Sequence, residues 1–175
     1  MAYSPAMTLR RFASVALSIP LALGIGGALA PAASAAELTI TDPSRDNVKG
    51  GLDIVSGVLN NDDYVLSTTV SFRKDTNGTV IVGLRARDGG LLRLVSRHRA
   101  GEAGSALLLN RKGRVACETL DVTWDNSAAS ATFTLASACL WKGNYGALRP
   151  WYLIEGLRSG NDIDIARTKA FVARG

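Results

Sequence analysis

Histidine is almost missing from this chain: His98 is the single copy in 175 residues. Any Ser-His-Asp arrangement must therefore use it, yet it sits in SRHRAG between Arg97 and Arg99, with no neighbouring carboxylate to orient it. There is no G-x-S-x-G elbow, no H-E-x-x-H, no phosphate-binding loop and no C-x-x-C. Those absences exclude the common nucleophile, zinc-hydrolase, nucleotide and dithiol signatures. Aromatic residues make up only 6% of the chain and cysteines number two. Beyond residue 36 no stretch keeps a helical period over three turns, which excludes a helical bundle.

The N-terminus is different in kind. Arg10 and Arg11 precede an apolar run from Phe12 to Ala30, and Ala33-Ser34-Ala35 fits the A-x-A pattern that a signal peptidase cuts. The run is rich in Ala and Gly and lacks following stop-transfer charges, so a cleaved signal peptide over residues 1–35 is expected rather than a membrane helix. Export through the general secretory route is favoured by Leu9, which stands where a twin-arginine signal prefers Ser or Thr. The expected product is a secreted, extracellular domain over residues 36–175 with no stable membrane insertion.

Setting aside Arg10 and Arg11 reduces the 20 basic residues to 18, against 15 acidic ones. That mild excess gives no reason to expect nucleic acid as a partner. Both cysteines, Cys117 and Cys139, fall in the exported part, where an oxidising compartment predicts one disulfide.

The body of the chain alternates with period two. Tyr64, Leu66, Val70 and Phe72 are apolar, while Ser67, Thr69, Ser71 and Arg73 between them are polar. Asn77-Gly78 follows as a hairpin signal, and Val80, Val82, Leu84 and Ala86 mark the return strand. RVACETLDVTW reads as one strand, ATFTL as another, and WYLIEGL and DIDIARTKAFVAR as the last, with one helical turn expected around Cys139. Short strands separated by frequent turn signals predict an all-β fold, a two-sheet antiparallel β-sandwich of immunoglobulin-like or jelly-roll-like type.

Three constellations carry candidate chemistry. TDPSRDNVKGGLDI offers Asp42, Asp46 and Asp53 as carboxylates for a hard cation such as calcium, or as side chains turned onto the backbone of a loop bent at Pro43. Trp141, Tyr145 and Trp151 belong to an aromatic-rich stretch that runs from Trp124 to Tyr152. Such residues either stack under sugar rings or pack over the disulfide. Arg85, Arg87, Arg93, Arg97, Arg99, Arg111, Lys112 and Arg114 face only Asp88 and Glu102 in the same segment. Their spacing predicts a positive stripe that holds an anionic glycan or cell-wall polymer, or a soluble strand face guarded by charge.

Asp42, Pro43, Asp46, Leu52, Asp53, Ile54 and the pair Cys117 and Cys139-Leu140 resemble a family of small exported β-sandwich proteins of high-GC Gram-positive bacteria. Their mature part opens with D-P-x-G-D … L-D-I. The opening is also similar to carbohydrate-binding-like and DOMON-like sandwich modules. That resemblance implies calcium at the leading aspartates. Arg45 departs from the pattern, standing where glycine is usual and putting a cation between two of the carboxylates.

The sequence expectation is thus a secreted, non-enzymatic binding or cell-envelope interaction module for a carbohydrate or wall polymer, with no cofactor other than calcium. The alternatives are a small secreted hydrolase using paired carboxylates, and an exported protease inhibitor presenting Cys139 to Pro150 as its loop.

Overall fold

The computed structural model describes residues 36–42, 52–74, 77–99, 102, 104–156 and 163–175. The expected signal peptide, Arg45 and Asp46 lie outside the described residues.

Strands β1 (Ala36–Thr41), β2 (Ile54–Asn61) and β3 (Val65–Phe72) open the fold. They are followed by β4 (Gly78–Ala86), β5 (Leu91–His98), β6 (Ser105–Asn110) and β7 (Gly113–Val115). The remaining strands are β8 (Asp121–Asp125), β9 (Ser130–Ala136), β10 (Ala147–Gly156), β11 (Ile163–Arg167) and β12 (Val172–Ala173). The smaller sheet runs β1-β2-β3-β9-β8 and the larger β11-β10-β4-β5-β6-β7, with β12 pairing the start of β10. All pairings are antiparallel, and the two inner faces enclose one core. The expected all-β sandwich is the architecture observed.

Period two explains which side chains meet inside. Leu66, Thr68, Val70 and Phe72 of β3 point inward, as do Val80, Val82, Leu84 and Ala86 of β4. Tyr152 of β10 crosses the core from the larger sheet. A Cβ on Gly57 of β2 would lie 2.1 Å from its ring, so glycine is needed for this approach. The Tyr152 hydroxyl lies 3.1 Å from Thr68 Oγ, which in turn donates to the Val58 carbonyl at 2.9 Å. A satisfied polar chain therefore ties the sheets together through the apolar interior.

Outward positions differ sharply between the sheets. On the smaller one, Thr39, Val58, Thr69, Thr132 and Thr123 stand in register across all five strands. The flanking row is Thr41, Ser56, Ser71, Ser130 and Asp125. That face is hydroxyl-rich and, at its described strand positions, free of cations. The larger sheet carries the arginines.

Two local expectations are corrected. Tyr64 is not an inward strand residue but stands 82% exposed at the turn before β3, where Asp62 Oδ1 accepts its backbone N–H. RVACETLDVTW is two strands: β7 closes the larger sheet, β8 closes the smaller, and the chain changes sheet between them. The Cys117–Cys139 disulfide forms at that crossing, with a Cα–Cα distance of 5.5 Å, and joins it to the 3₁₀ turn Ser137–Cys139. Trp124 is half-buried, stacked on His98 at 4.2 Å and donating to Ser96 Oγ at 3.0 Å. Among the described residues, no helix is long and apolar enough to cross a membrane.

Candidate functional site

Alternation within β10 buries Leu148, Pro150, Tyr152 and Ile154 and turns Arg149, Trp151 and Leu153 outward. The same parity turns Ile165 and Arg167 outward on β11, and Arg85 outward on β4. These side chains, with Thr168 and Lys169, line a groove of about 400 Å³ on the outer face of the larger sheet. Trp151 pairs with Gly83 on one side and Arg167 on the other. A Cβ on Gly83 would lie 1.8 Å from the indole, so the ring can rest on bare backbone only because that residue is glycine.

Around the half-exposed indole stand Arg85, Arg149, Arg167 and Lys169, and no carboxylate lines the groove among the described residues. Arg149 and Arg85 are direct neighbours across β10 and β4. Like charges in that position cost stability unless an anion bridges them. Arg149 is braced from behind, its guanidinium 5.2 Å from the Phe171 ring centre, with Arg87 on the same ring at 5.4 Å. Arginine keeps its charge at any biological pH and tryptophan has no titratable group, so these side chains offer positive charge and an apolar face but no proton to transfer.

Of the expected aromatic platforms, Trp151 alone belongs to this groove. Tyr145 is 8% exposed, its ring beside Trp141 and under the Arg174 guanidinium at 5.0 Å. Burial removes the open ring face that stacking needs, because the chain after Cys139 folds back through the turns Ser137–Cys139 and Trp141–Gly143. Trp141 is half-buried, packed against the core with its indole over Gly90. Of the segment from Cys139 to Pro150, Ala147 onward belongs to β10, between β4 and β11.

Of the three loop aspartates, Asp42 and Asp53 are among the described residues. Asp42 is half-buried and its backbone N–H donates to the Val55 carbonyl. Asp53 is buried, and its Oδ2 accepts from Arg73 Nε at 2.6 Å. The guanidinium competes with any cation for that oxygen. Nearby, Asp164 Oδ2 accepts the Ile54 N–H at 2.7 Å, a tie from β11 to the start of β2. No group of three or more His, Cys, Asp or Glu side chains is arranged to hold a metal ion among the described residues.

Glu102 and Asp121 line a second hollow of about 560 Å³ with Trp124. In that hollow Glu102 also faces Arg99 at 3.7 Å. His98 lies behind Trp124, 1% exposed.

Sequence reasoning found Arg85 and Trp151 but not their partners Arg149, Arg167 and Lys169. The available signal was parity: Arg149, Trp151 and Leu153 alternate, as do Ile165, Arg167 and Lys169. Only strand register brings those sets beside Arg85. No protein-family model matches the sequence, and no curated protein or solved structure shows detectable similarity to it.

Proposed function

We propose that the protein is an exported, non-enzymatic binding module that holds an acidic glycan, or a comparable anionic polymer of the cell envelope, on the outer face of its larger sheet. The observation that carries this reading is the Trp151 indole laid over Gly83 and ringed by Arg85, Arg149, Arg167 and Lys169. A flat apolar ring under a cationic rim suits a sugar whose one face is C–H and whose edge carries a carboxylate or sulfate.

Titration calorimetry with digalacturonate, polygalacturonate and neutral dextran tests the proposal. Both uronates bind and dextran does not, and affinity falls as salt rises, because the groove is open to solvent. Trp151→Ala weakens digalacturonate binding about tenfold, the loss of one aromatic stack. Equal binding of dextran, or indifference to Trp151→Ala, refutes it.

A further inference from the structure

The cations of the groove do not stop at its rim. Strand register places Arg167, Trp151, Gly83, Arg93, Leu109 and Arg114 in one line running across β11, β10, β4, β5, β6 and β7. Arg93, Arg114 and Arg167 are all exposed. Beside this line runs the row of Leu91, Arg85 and Arg149. On its other side stands an apolar row of Leu107, Val95, Ile81, Leu153 and Ile165. The face is therefore banded: a strip with cations on β11, β10, β4, β5 and β7, interrupted by Leu109 on β6, crosses the sheet and an apolar ridge borders it. Over the described outward strand positions of this face, Arg85, Arg93, Arg97, Arg114, Arg149 and Arg167 are answered by Glu155 alone.

We infer that the site is a track for an extended polyanion lying perpendicular to the strands, with the Trp151 groove as one end of it. This inference rests on the reading above and specifies its ligand as a linear acidic polysaccharide rather than a single small anion. Two features set the direction. A chain laid along the strands leaves the cations after two rows and meets the apolar ridge, whereas one laid across them passes Arg167, Trp151, Arg93 and Arg114 in turn. The length follows from strand spacing: five inter-strand steps of this sheet span about 24 Å. A dimer covers only the groove, while a longer chain reaches Arg114.

The test compares digalacturonate with polygalacturonate on the full chain, using wild type, Arg114→Ala, Arg93→Ala/Arg114→Ala and Trp151→Ala, with Lys74→Ala as a charge-matched control on the turn after β3. The polymer binds more tightly than the dimer. Arg114→Ala weakens the polymer roughly threefold and the double variant roughly tenfold, the size expected of exposed ion pairs, with a smaller salt dependence. Dimer affinity is unchanged by either variant, and Lys74→Ala moves neither ligand. Should the dimer bind through Trp151 while the polymer binds no tighter and ignores Arg93 and Arg114, the track is refuted and the groove stands. Should the dimer itself fail to bind, the groove reading falls and takes the track with it. Sedimentation with anionic phosphatidylglycerol vesicles but no affinity for polygalacturonate overturns the polysaccharide in favour of a bilayer surface.

Discussion

Raising the pH should loosen this fold through Tyr152, by an amount the structure allows to be worked out. The ring is fully buried and burial pushes the phenol up to about 12, against an ordinary value of 10.0. Thr68 spends its single proton on the Val58 carbonyl, so the phenol must be the donor to Thr68 and needs to remain protonated. Below pH 10 folded and unfolded chains both keep that proton, and the stabilisation is fully present. Above it the unfolded chain releases the proton first, so stability falls until the folded value near 12 is reached. Two units correspond to about 2.7 kcal/mol, lost at about 1.4 kcal/mol per pH unit. Tyr152→Phe removes the hydroxyl and with it this slope. At pH 8 the variant should be about 1 kcal/mol less stable than wild type, for one lost hydrogen bond. By about pH 11 wild type has lost a comparable amount from this residue alone, so the two stability curves should meet there. Guanidinium unfolding of both proteins at a series of pH values reads the difference directly, since every other titrating group cancels. A difference that stays constant from pH 8 to pH 11 refutes the reasoning.

Four further outcomes follow from other contacts. Replacing Cys117 and Cys139 together by serine releases the cross-link over a sequence separation of 22. The cost should be about 3 kcal/mol, or on the order of 10 °C in Tm by scanning calorimetry. Gly83→Ala forces the half-exposed Trp151 indole off the sheet; uronate binding should be lost while chemical unfolding changes by about 1 kcal/mol or less. Arg73→Met takes the guanidinium from the buried Asp53 carboxylate and should cost about 1.5 kcal/mol in urea unfolding, with Arg73→Lys recovering part of it. Because Arg73 holds Asp53 Oδ2, millimolar calcium or chelator should leave Tm within about 1 °C; a saturable rise with calcium would show that the ion displaces the guanidinium.

Much of the fold was legible because β3, β4 and β9 alternate cleanly, and period two fixes which side of a strand is buried. The disulfide was legible because two cysteines admit only one pairing. The break inside RVACETLDVTW was not, because Leu120, Val122 and Trp124 keep the strand period through a point where the chain changes sheet. Tyr145 also misled: in a segment without periodicity nothing distinguishes a ring offered to solvent from one tucked under Arg174. The groove was half legible. Arg85 and Trp151 stand out singly, but their adjacency is a matter of register between strands 66 residues apart in sequence, and register is set by the whole hydrophobic pattern.

The contrast between the two outer faces has a physical consequence for the molecule in motion. One broad side carries guanidinium groups; the other carries hydroxyls with Glu37, Asp121 and Asp125 at its strand positions. The described strand positions therefore separate charge through the thickness of the sandwich, positive toward the larger sheet. Near a negatively charged wall such a body turns before it touches, presenting the Trp151 side first. For the anionic ligand proposed above, rotational search is thereby shortened and the encounter is biased toward the orientation that presents the groove.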